Sequence, residues 1–469
     1  MDSNVFTGRQ PEMTVKKVAF VYLSYIPNYV HTGDSGLDVE KRPKLGLQYL
    51  CAVLEQRGIM TNIFDQIVVP FTPYELVMNL KGYDMVGFYC SDPQEKKVKE
   101  YCSLVKQNLI IPINVGGPAT ANNSSFLEYG CDVVVHGEGE VTILQLVDYY
   151  NGVLSIESVN GVSYRKNGIT VRARDQPFIE DLDTLPFPYR KNPDVTAYYD
   201  PYNFSMGKPF IHVMSSRGCL YRCHFCASCK SWGYQYRQRS VDNVLAEIDA
   251  AVEEYGELFV CFQDDVWGRT NRWIEEFCTK LIDKTYKIRW LVLLHPFSIP
   301  TDKDRVLELM KRAGCVVILL GLQSAHPYIL LGVNRNPQEP ARLKELLAAT
   351  NNVGILTAVS YIFGLPGDTP ETIRTTIDYS VTCGATLSNY FNLSILHGSK
   401  LEEMYKEKTV CEMPTADILA LTRTAYRKFY THPQTVLRVG YYLLQYPNWI
   451  VAMLTKMPLL FKWTGVIQK

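Results

Sequence analysis

Short apolar runs alternate with longer amphipathic stretches over most of this chain, in two separate series. In the first, the short runs fall at residues 18–23, 59–64, 85–89, 111–115 and 133–135. Between them lie 45–57, 74–80, 96–107 and 140–150, where apolar residues recur at helical spacing. Brief continuous apolar runs separated by helices predict buried strands of a doubly wound parallel sheet. Five such strands make a Rossmann-like domain over residues 1–150, preceded by a loose leader at 1–14. Ligands of such a domain bind beyond the carboxyl ends of its strands.

Residues 151–205 read as a connector. Within it, 162–164 and 169–171 flank Lys166-Asn167-Gly168, a hairpin signal. An acidic stretch from Asp181 then runs into Pro186-Phe187-Pro188, in the manner of a linker. The second series begins at 211. Its strands are predicted at 211–215, 258–263, 288–294, 316–321, 356–363 and 386–395. Its helices are predicted at 241–254, 272–283, 304–312, 340–351 and 371–382, the first with Ser240 as N-cap. Six strand–helix units predict a partial barrel, (β/α)6, over 206–400, with functional residues at the carboxyl ends of its strands. The whole chain therefore reads as α/β, closed by a helical C-terminal region over 401–469.

Composition narrows the classes. The 469 residues carry 48 basic and 48 acidic side chains, so no global charge favours nucleic acid. Thirteen irregularly spaced cysteines, after a start without a signal-peptide pattern, predict a reducing cytosol. No apolar run reaches the ~18 residues of a membrane span. The neutral total hides one asymmetry. Residues 415–469 hold Asp417 as their only acid, against Arg423, Arg427, Lys428, Arg438, Lys456, Lys462 and Lys469. With aromatics such as Trp449, Phe461 and Trp463, this stretch reads either as a membrane-surface element or as a helical cap on the barrel.

The chemistry-bearing run follows the first strand of the second series. It reads Ser215-Ser216-Arg217-Gly218-Cys219, then Cys223-His224-Phe225-Cys226, a C-x3-C-x2-C spacing. Three thiolates this close can hold three irons of a four-iron, four-sulfur cluster, which ordinarily takes four cysteines. The fourth iron is then open to a small molecule. The competing reading is a structural zinc site, with Cys229 as the fourth ligand of a zinc-stabilised binding protein. Four ligands within eleven residues would be cramped around one tetrahedral ion.

The run resembles the signature of the radical S-adenosylmethionine (SAM) family, including the aromatic Phe225 before the last cysteine. That resemblance implies that Cys219, Cys223 and Cys226 hold a 4Fe-4S cluster and that SAM chelates the open iron. One electron from a flavodoxin- or ferredoxin-type donor then cleaves SAM to methionine and a 5′-deoxyadenosyl radical. Phe225 would pack near the adenine, and Cys229 has no role. Phe262-Gln263-Asp264-Asp265-Val266-Trp267 is similar to the family's segment ending the second strand. Gly321-Leu322-Gln323-Ser324 resembles the segment ending the fourth, where Gln323 and Ser324 would approach SAM. The sequence departs from the family pattern after Ser324, continuing with Ala325-His326-Pro327 instead of Gly-Ser. Gly364-Leu365-Pro366-Gly367-Asp368 resembles the turn after the fifth strand, where Gly364, Pro366 and Gly367 would border SAM.

The first series carries a second resemblance. Pro43-Lys44-Leu45-Gly46-Leu47, then Val115-Gly116-Gly117-Pro118, then His136-Gly137-Glu138-Gly139-Glu140 are similar to the cobalamin-binding domain of B12-binding radical SAM proteins. Gly116, Gly117, Gly137, Glu138, Gly139 and Glu140 would then contact cobalamin. The D-x-H-x-x-G segment that supplies a histidine ligand elsewhere is absent, and His31 does not lie in that pattern. A domain that has lost cobalamin is the competing reading.

The resemblance implies a cobalamin-dependent radical SAM enzyme. The expected activity is methyl transfer to an unactivated carbon or phosphorus centre of a small-molecule or lipid-like substrate. An oxidative cyclase or rearrangement enzyme of the same architecture is the alternative. A tRNA methylthiotransferase is disfavoured, since no extra cysteine triplet or C-terminal RNA-binding domain is visible. The expected location is the cytoplasm, with peripheral membrane contact if the tail is the surface element and none through it if it is the cap. His224 reads as a support of the cluster loop or a surface residue, His295 as structural, and Cys51, Cys90, Cys102 and Cys131 as core thiols.

Overall fold

The computed structural model describes residues 14–24, 42–198, 205, 208–299, 302–406 and 409–445. The chain divides into two compact units, one containing residues 41–198 and the other containing residues 233–469 and the loop 199–229.

The first unit is built on a seven-stranded sheet. Its strands are β1 (Lys17–Tyr22), β2 (Met60–Asp65), β3 (Met85–Tyr89), β4 (Ile113–Gly116), β5 (Val133–Val135), β6 (Val162–Lys166) and β7 (Ile169–Arg172). Their order is β2-β1-β3-β4-β5-β6-β7. The first five run parallel, and β6 and β7 are antiparallel. The order reverses between β1 and β3, and a doubly wound sheet opens a ligand crevice at such a switch. Val86, Phe88, Val98, Cys102, Ile113 and Val115 are buried together in its core. Burial on both faces explains why the strands lack polar alternation. The four expected core thiols, Cys51, Cys90, Cys102 and Cys131, are all buried.

One expectation is corrected here. The predicted hairpin of the connector forms, with Lys166 opposite Ile169, but it is not a free link. Its first strand pairs with β5, so the hairpin extends the sheet, and the unit continues to Tyr198. The turn uses Asn167 (φ 52°) and Gly168 (φ 79°), the two left-handed positions of a tight hairpin. Edge pairing of this kind is invisible to a local pattern, because β7 is largely exposed and reads as polar.

The second unit has β8 (Phe210–Val213), a small ladder of β9 (Ser216–Arg217) with β10 (Arg237–Gln238), and then β11 (Phe259–Phe262). It continues with β12 (Arg289–Leu294), β13 (Cys315–Gln323), β14 (Leu356–Phe363) and β15 (Leu387–Asn392). Apart from the ladder, the strands form one six-stranded sheet in the order β15-β14-β13-β12-β11-β8. Every neighbour pair is parallel. Successive crossovers step the same way, as in a barrel that stops short of closure. The helix Val241–Tyr255 starts as expected, with Ser240 Oγ accepting from Asn243 N.

After a short helix at Lys400–Met404, two longer helices, Thr415–Tyr430 and Pro433–Gln445, make up most of the described C-terminal region. The second one is a cap. Tyr442 is 2% exposed and packs with Phe210, Phe259, Leu291, Val316, Val317 and Leu356, which lie toward the strand starts. Its hydroxyl donates to Ile355 O at 3.0 Å. The helix therefore seals the amino end of the strands. Trp449, Phe461 and Trp463 lie outside the described residues, as does His31. No described helix is long and apolar enough to cross a membrane.

Candidate functional site

The cysteine loop leaves the carboxyl end of β8 and is pinned at its base. Buried Asp264, just after β11, accepts from Ser215 N (3.2 Å), Ser215 Oγ (2.7 Å) and Ser216 Oγ. Burial pushes its carboxyl up to about 6, although the serine bonds pull the other way. Returning from the loop, β10 pairs antiparallel with β9, so Arg237 lies opposite Arg217. Next to it, Arg239 N donates to Ser215 O at 2.8 Å. Arg239 is itself buried against Glu247 and donates to Met214 O at 3.0 Å. The F-x-D-D segment thus works first as a clamp on the loop.

Between these pins the three thiols are half-buried and free of disulfides. Cys226 N donates to Cys223 O (3.2 Å), and Ser228 N approaches Cys226 Sγ at 3.5 Å. Ser228 Oγ donates to Asp265 Oδ1 at 2.8 Å, and Asp265 Oδ2 is buried without a hydrogen-bond partner. Burial pushes the Cys219 thiol up to about 12, with Asp265, Cys223 and Cys226 adding to the rise. Burial also raises Cys223, and Arg335 opposes that rise. Three neighbouring thiols form a donor set suited to a cationic metal centre, which would deprotonate them. Among the described residues, no three His, Cys, Asp or Glu groups converge on a single ion. Cys229 sits in the helix Ser228–Trp232, and its side chain is not among those described.

A second set of contacts was not read from the sequence. The segment 332–335, at the end of the helix Pro327–Gly332, grips the loop. His224 N donates to Val333 O (3.1 Å), and Asn334 Nδ2 donates to Arg222 O (2.8 Å). His224 Nδ1 lies 3.3 Å from Gly332 O. Arg335 NH1 reaches Cys223 Sγ at 3.9 Å. Tyr221 stacks on His295 with ring centroids 3.6 Å apart. His295 is buried, as a structural histidine should be, and its Nε2 lies 3.4 Å from Glu339 Oε1. The one available signal was Arg335 and Glu339, an i,i+4 pair of opposite charge within the polar stretch Asn334-Arg335-Asn336-Pro337-Gln338-Glu339.

The remaining barrel residues divide by what they touch. Phe225 packs beside Ile329, Val333 and Leu365. Gln323 ends β13 at φ 71°, where the register with β14 shifts. Its amide folds back so closely that a side chain at Gly321 would meet it at 2.6 Å. Ser324 is buried, with its hydroxyl 3.2 Å from Thr376 Oγ1 and accepting from His326 N. The turn after β14 is closed by Asp368, whose Oδ2 accepts from Gly364 N (3.0 Å) and Leu365 N (2.9 Å). Gly364 and Gly367, on either side of Pro366, have φ of 87° and 81°. A side chain at Gly364 would press on Ile418, and one at Gly367 on Tyr328.

In the first unit, the motif residues lie after β4 and β5. Gly116 has only Val135 near it. Gly117 has φ 117° and ψ −177°, and a Cβ there would lie 2.6 Å from Cys90 O. Gly137 is left-handed at φ 74° with open space around it. Glu138 is buried and accepts from Ile179 N at 2.7 Å. Gly139 and buried Glu140 begin the helix Gly139–Tyr150. His136 is held at both ring nitrogens, by Thr120 O (2.6 Å) and Ser163 Oγ (2.8 Å). Burial depresses its pKa to about 4, so it is neutral near pH 7.

Comparison with known proteins matches both units. The radical SAM superfamily model matches residues 213–380, and the B12 binding domain model matches residues 40–147. An uncharacterized methyltransferase of Pyrococcus horikoshii is 25% identical over 423 residues, 84% of this chain and 89% of the relative. An anaerobic magnesium-protoporphyrin IX monomethyl ester cyclase of Cereibacter sphaeroides is 26% identical over 378 residues, 77% of this chain and 59% of the relative. Among solved structures, a radical SAM methyltransferase of Kitasatospora setae, with cobalamin and a [4Fe-4S] cluster bound, shares the fold. Its TM-score is 0.67 at 18% identity, covering 82% of this chain and 74% of that one.

Proposed function

Because this chain belongs to the B12-binding radical SAM enzymes, we propose that it is a methyltransferase acting on an unactivated carbon or phosphorus centre. The substrate would be a small or lipid-like molecule. The observation that carries this reading is the three-thiol loop, clamped at the carboxyl end of the first strand of a parallel six-stranded sheet, in a chain with a second, B12-binding-type unit. When bound, the cofactors would supply a methyl group carried on cobalt and a carbon radical generated from SAM.

The chain's own residues would hold and shield these groups. Cys219, Cys223 and Cys226 would ligate the cluster, and Asp264 and Arg239 hold the loop's ends together. Phe225, the Gln323 strand end and the Gly364–Gly367 turn would border SAM. Ser324 would act at one remove, since Thr376 and His326 engage its hydroxyl. In the first unit, Gly116 and Gly137 leave backbone open to cobalamin, while Gly117 and Glu138 support the chain around them. Both nitrogens of His136 are engaged, so it would offer no free imidazole nitrogen to the cofactor. An external one-electron donor of the flavodoxin or ferredoxin type would be needed. Peripheral contact with an anionic membrane would use the outward face of the helix Pro433–Gln445, where Leu437 and Leu444 are exposed.

The test is anaerobic reconstitution followed by product analysis. About four irons and four sulfides per chain are expected, together with one cobalamin. With substrate, methyl transfer consumes two SAM molecules, leaving S-adenosylhomocysteine from one and 5′-deoxyadenosine plus methionine from the other. The similarity to a cyclase supports a second reading, oxidative cyclisation. That reaction would yield 5′-deoxyadenosine without S-adenosylhomocysteine, and such a product ratio would replace the methyltransferase reading.

A further inference from the structure

We infer that Arg335 is a positioning and tuning residue for the metal centre. Its guanidinium donates to the sulfur of Cys223 and raises the reduction potential of the cluster, while Glu339 behind it sets how much positive charge the sulfur meets. This rests on the cluster assignment above.

The geometry is that of a buried fork aimed at one thiol. Arg335 is 8% exposed. Its Nε donates to Glu339 Oε2 at 2.7 Å, and its NH2 donates to the same carboxylate and to Gly321 O at 2.7 Å. The NH2 group also lies 3.2 Å from His295 Nε2. Only NH1 is directed away from this network, and it meets Cys223 Sγ at 3.9 Å. A guanidinium has five donors in a rigid plane, so fixing Nε and NH2 fixes where NH1 points. Glu339 is held as a carboxylate: burial would raise its pKa, but His295 and Arg335 outweigh that and lower it. Neither charge of the pair is solvated, so their field reaches the sulfur with little screening.

The arrangement exceeds what loop anchoring needs. His224, Asn334 and the Tyr221–His295 stack already fasten the loop, and none of them places a charge on a cysteine. Adding one electron to an iron–sulfur centre increases negative charge on its thiolates. A cationic N–H donor stabilises that state more than the oxidised one, and hydrogen bonds to the sulfurs are a recognised determinant of potential. Glu339 opposes the effect from the other side of the guanidinium.

The experiment is an electron paramagnetic resonance-monitored redox titration of the reconstituted protein with dithionite, without substrate. Three proteins are compared: wild type, Glu339→Gln, and the double variant Arg335→Met/Glu339→Gln, which avoids stranding a buried carboxylate. Glu339→Gln should raise the midpoint potential. The double variant should lower it, by up to about tenfold in the reduction equilibrium, or 59 mV for one electron. A merely structural role would not move the two variants in opposite directions. If the double variant holds a full cluster at the wild-type potential, the inference is overturned. If it holds no cluster, Glu339→Gln decides alone: a higher potential supports the inference, and an unchanged or lower one overturns it. Wild-type protein that takes up no four-iron cluster would instead overturn the cofactor assignment itself.

Discussion

Sequence motifs mark both units, but the fold uses them in opposite ways. In the barrel unit, the three cysteines sit on a loop that other residues hold: Asp264 and Arg239 at its base, and Val333 to Arg335 across it. The thiols themselves do little for the fold. In the first unit, Gly117 and Glu138 are part of the framework, because backbone of Cys90 fills the space beside the one and Ile179 N bonds to the other. Chemistry and stability should therefore separate cleanly in the barrel unit and remain entangled in the first.

The largest effect expected from that contrast is at the thiols. Alanine at Cys219, Cys223 or Cys226 should abolish cluster uptake, measured as iron and sulfide per chain. The unloaded variants should melt within about 0.5 kcal/mol of unloaded wild type, as half-exposed positions usually do. A cluster lost equally in Cys229→Ala would break the ligand assignment. Unloaded variants that fail to fold would break the separation.

Next in size is Gly117→Ala. The backbone there occupies a region essentially reserved for glycine, and the new methyl would strike Cys90 O. A loss of about 2–4 kcal/mol is expected in urea unfolding followed through the first unit. Gly137→Ala should cost only about 1 kcal/mol, since its left-handed turn faces open space. It should weaken cobalamin retention out of proportion to that cost. Equal losses at the two positions would erase the distinction between framework glycine and ligand-facing glycine.

Much of this architecture was legible beforehand, for a physical reason. Buried parallel strands must be short and apolar, so 85–89, 133–135 and 356–363 could be placed to the residue. The cysteine spacing declared itself, because thiols that close have few structural uses outside a metal site. What stayed hidden depends on contacts distant in sequence. Arg335 and Cys223 are 112 residues apart, and nothing local to either suggests the other. The pairing of β6 with β5 is similar: the hairpin was read, but its docking edge was not. The glycines were read as room for a ligand, and at Gly117 the room is already taken by the protein.

A pH measurement sharpens the account of the first unit. His136 has its pKa lowered to about 4 by burial, against an ordinary 6.5. The unfolded chain therefore binds the proton more readily, and stability falls as pH drops from about 6.5 toward 4. Between pH 7 and pH 5 this group should account for about 2 kcal/mol of lost stability. His136→Gln should remove that part of the slope, whatever it costs at pH 7. A variant with the wild-type slope would mean that His136 is not a buried neutral group, and its exclusion as a cofactor ligand would need reconsidering.

The smallest effect on stability is expected on the outward face of a helix at the amino end of the barrel, which carries both kinds of residue. In the helix Pro433–Gln445, Tyr442 is buried and bonded to Ile355 O, while Leu437 and Leu444 are 73% and 82% exposed. Replacing Tyr442 by Ala tests the cap and should cost about 3 kcal/mol or more. Replacing Leu437 and Leu444 by Ser tests the outward face alone, and should change stability by less than about 0.5 kcal/mol. The exposed Arg423 and Arg427 of the preceding helix would add attraction to an anionic surface. Each leucine that enters lipid would contribute by burial, so the double serine variant should sediment with anionic vesicles at least tenfold more weakly than wild type. If both proteins sediment equally, or neither does, the helix is a cap and nothing more. The case for a lipid-like substrate would then lose its support, while the small-molecule reading and the cluster chemistry at the opposite end of the strands would stand.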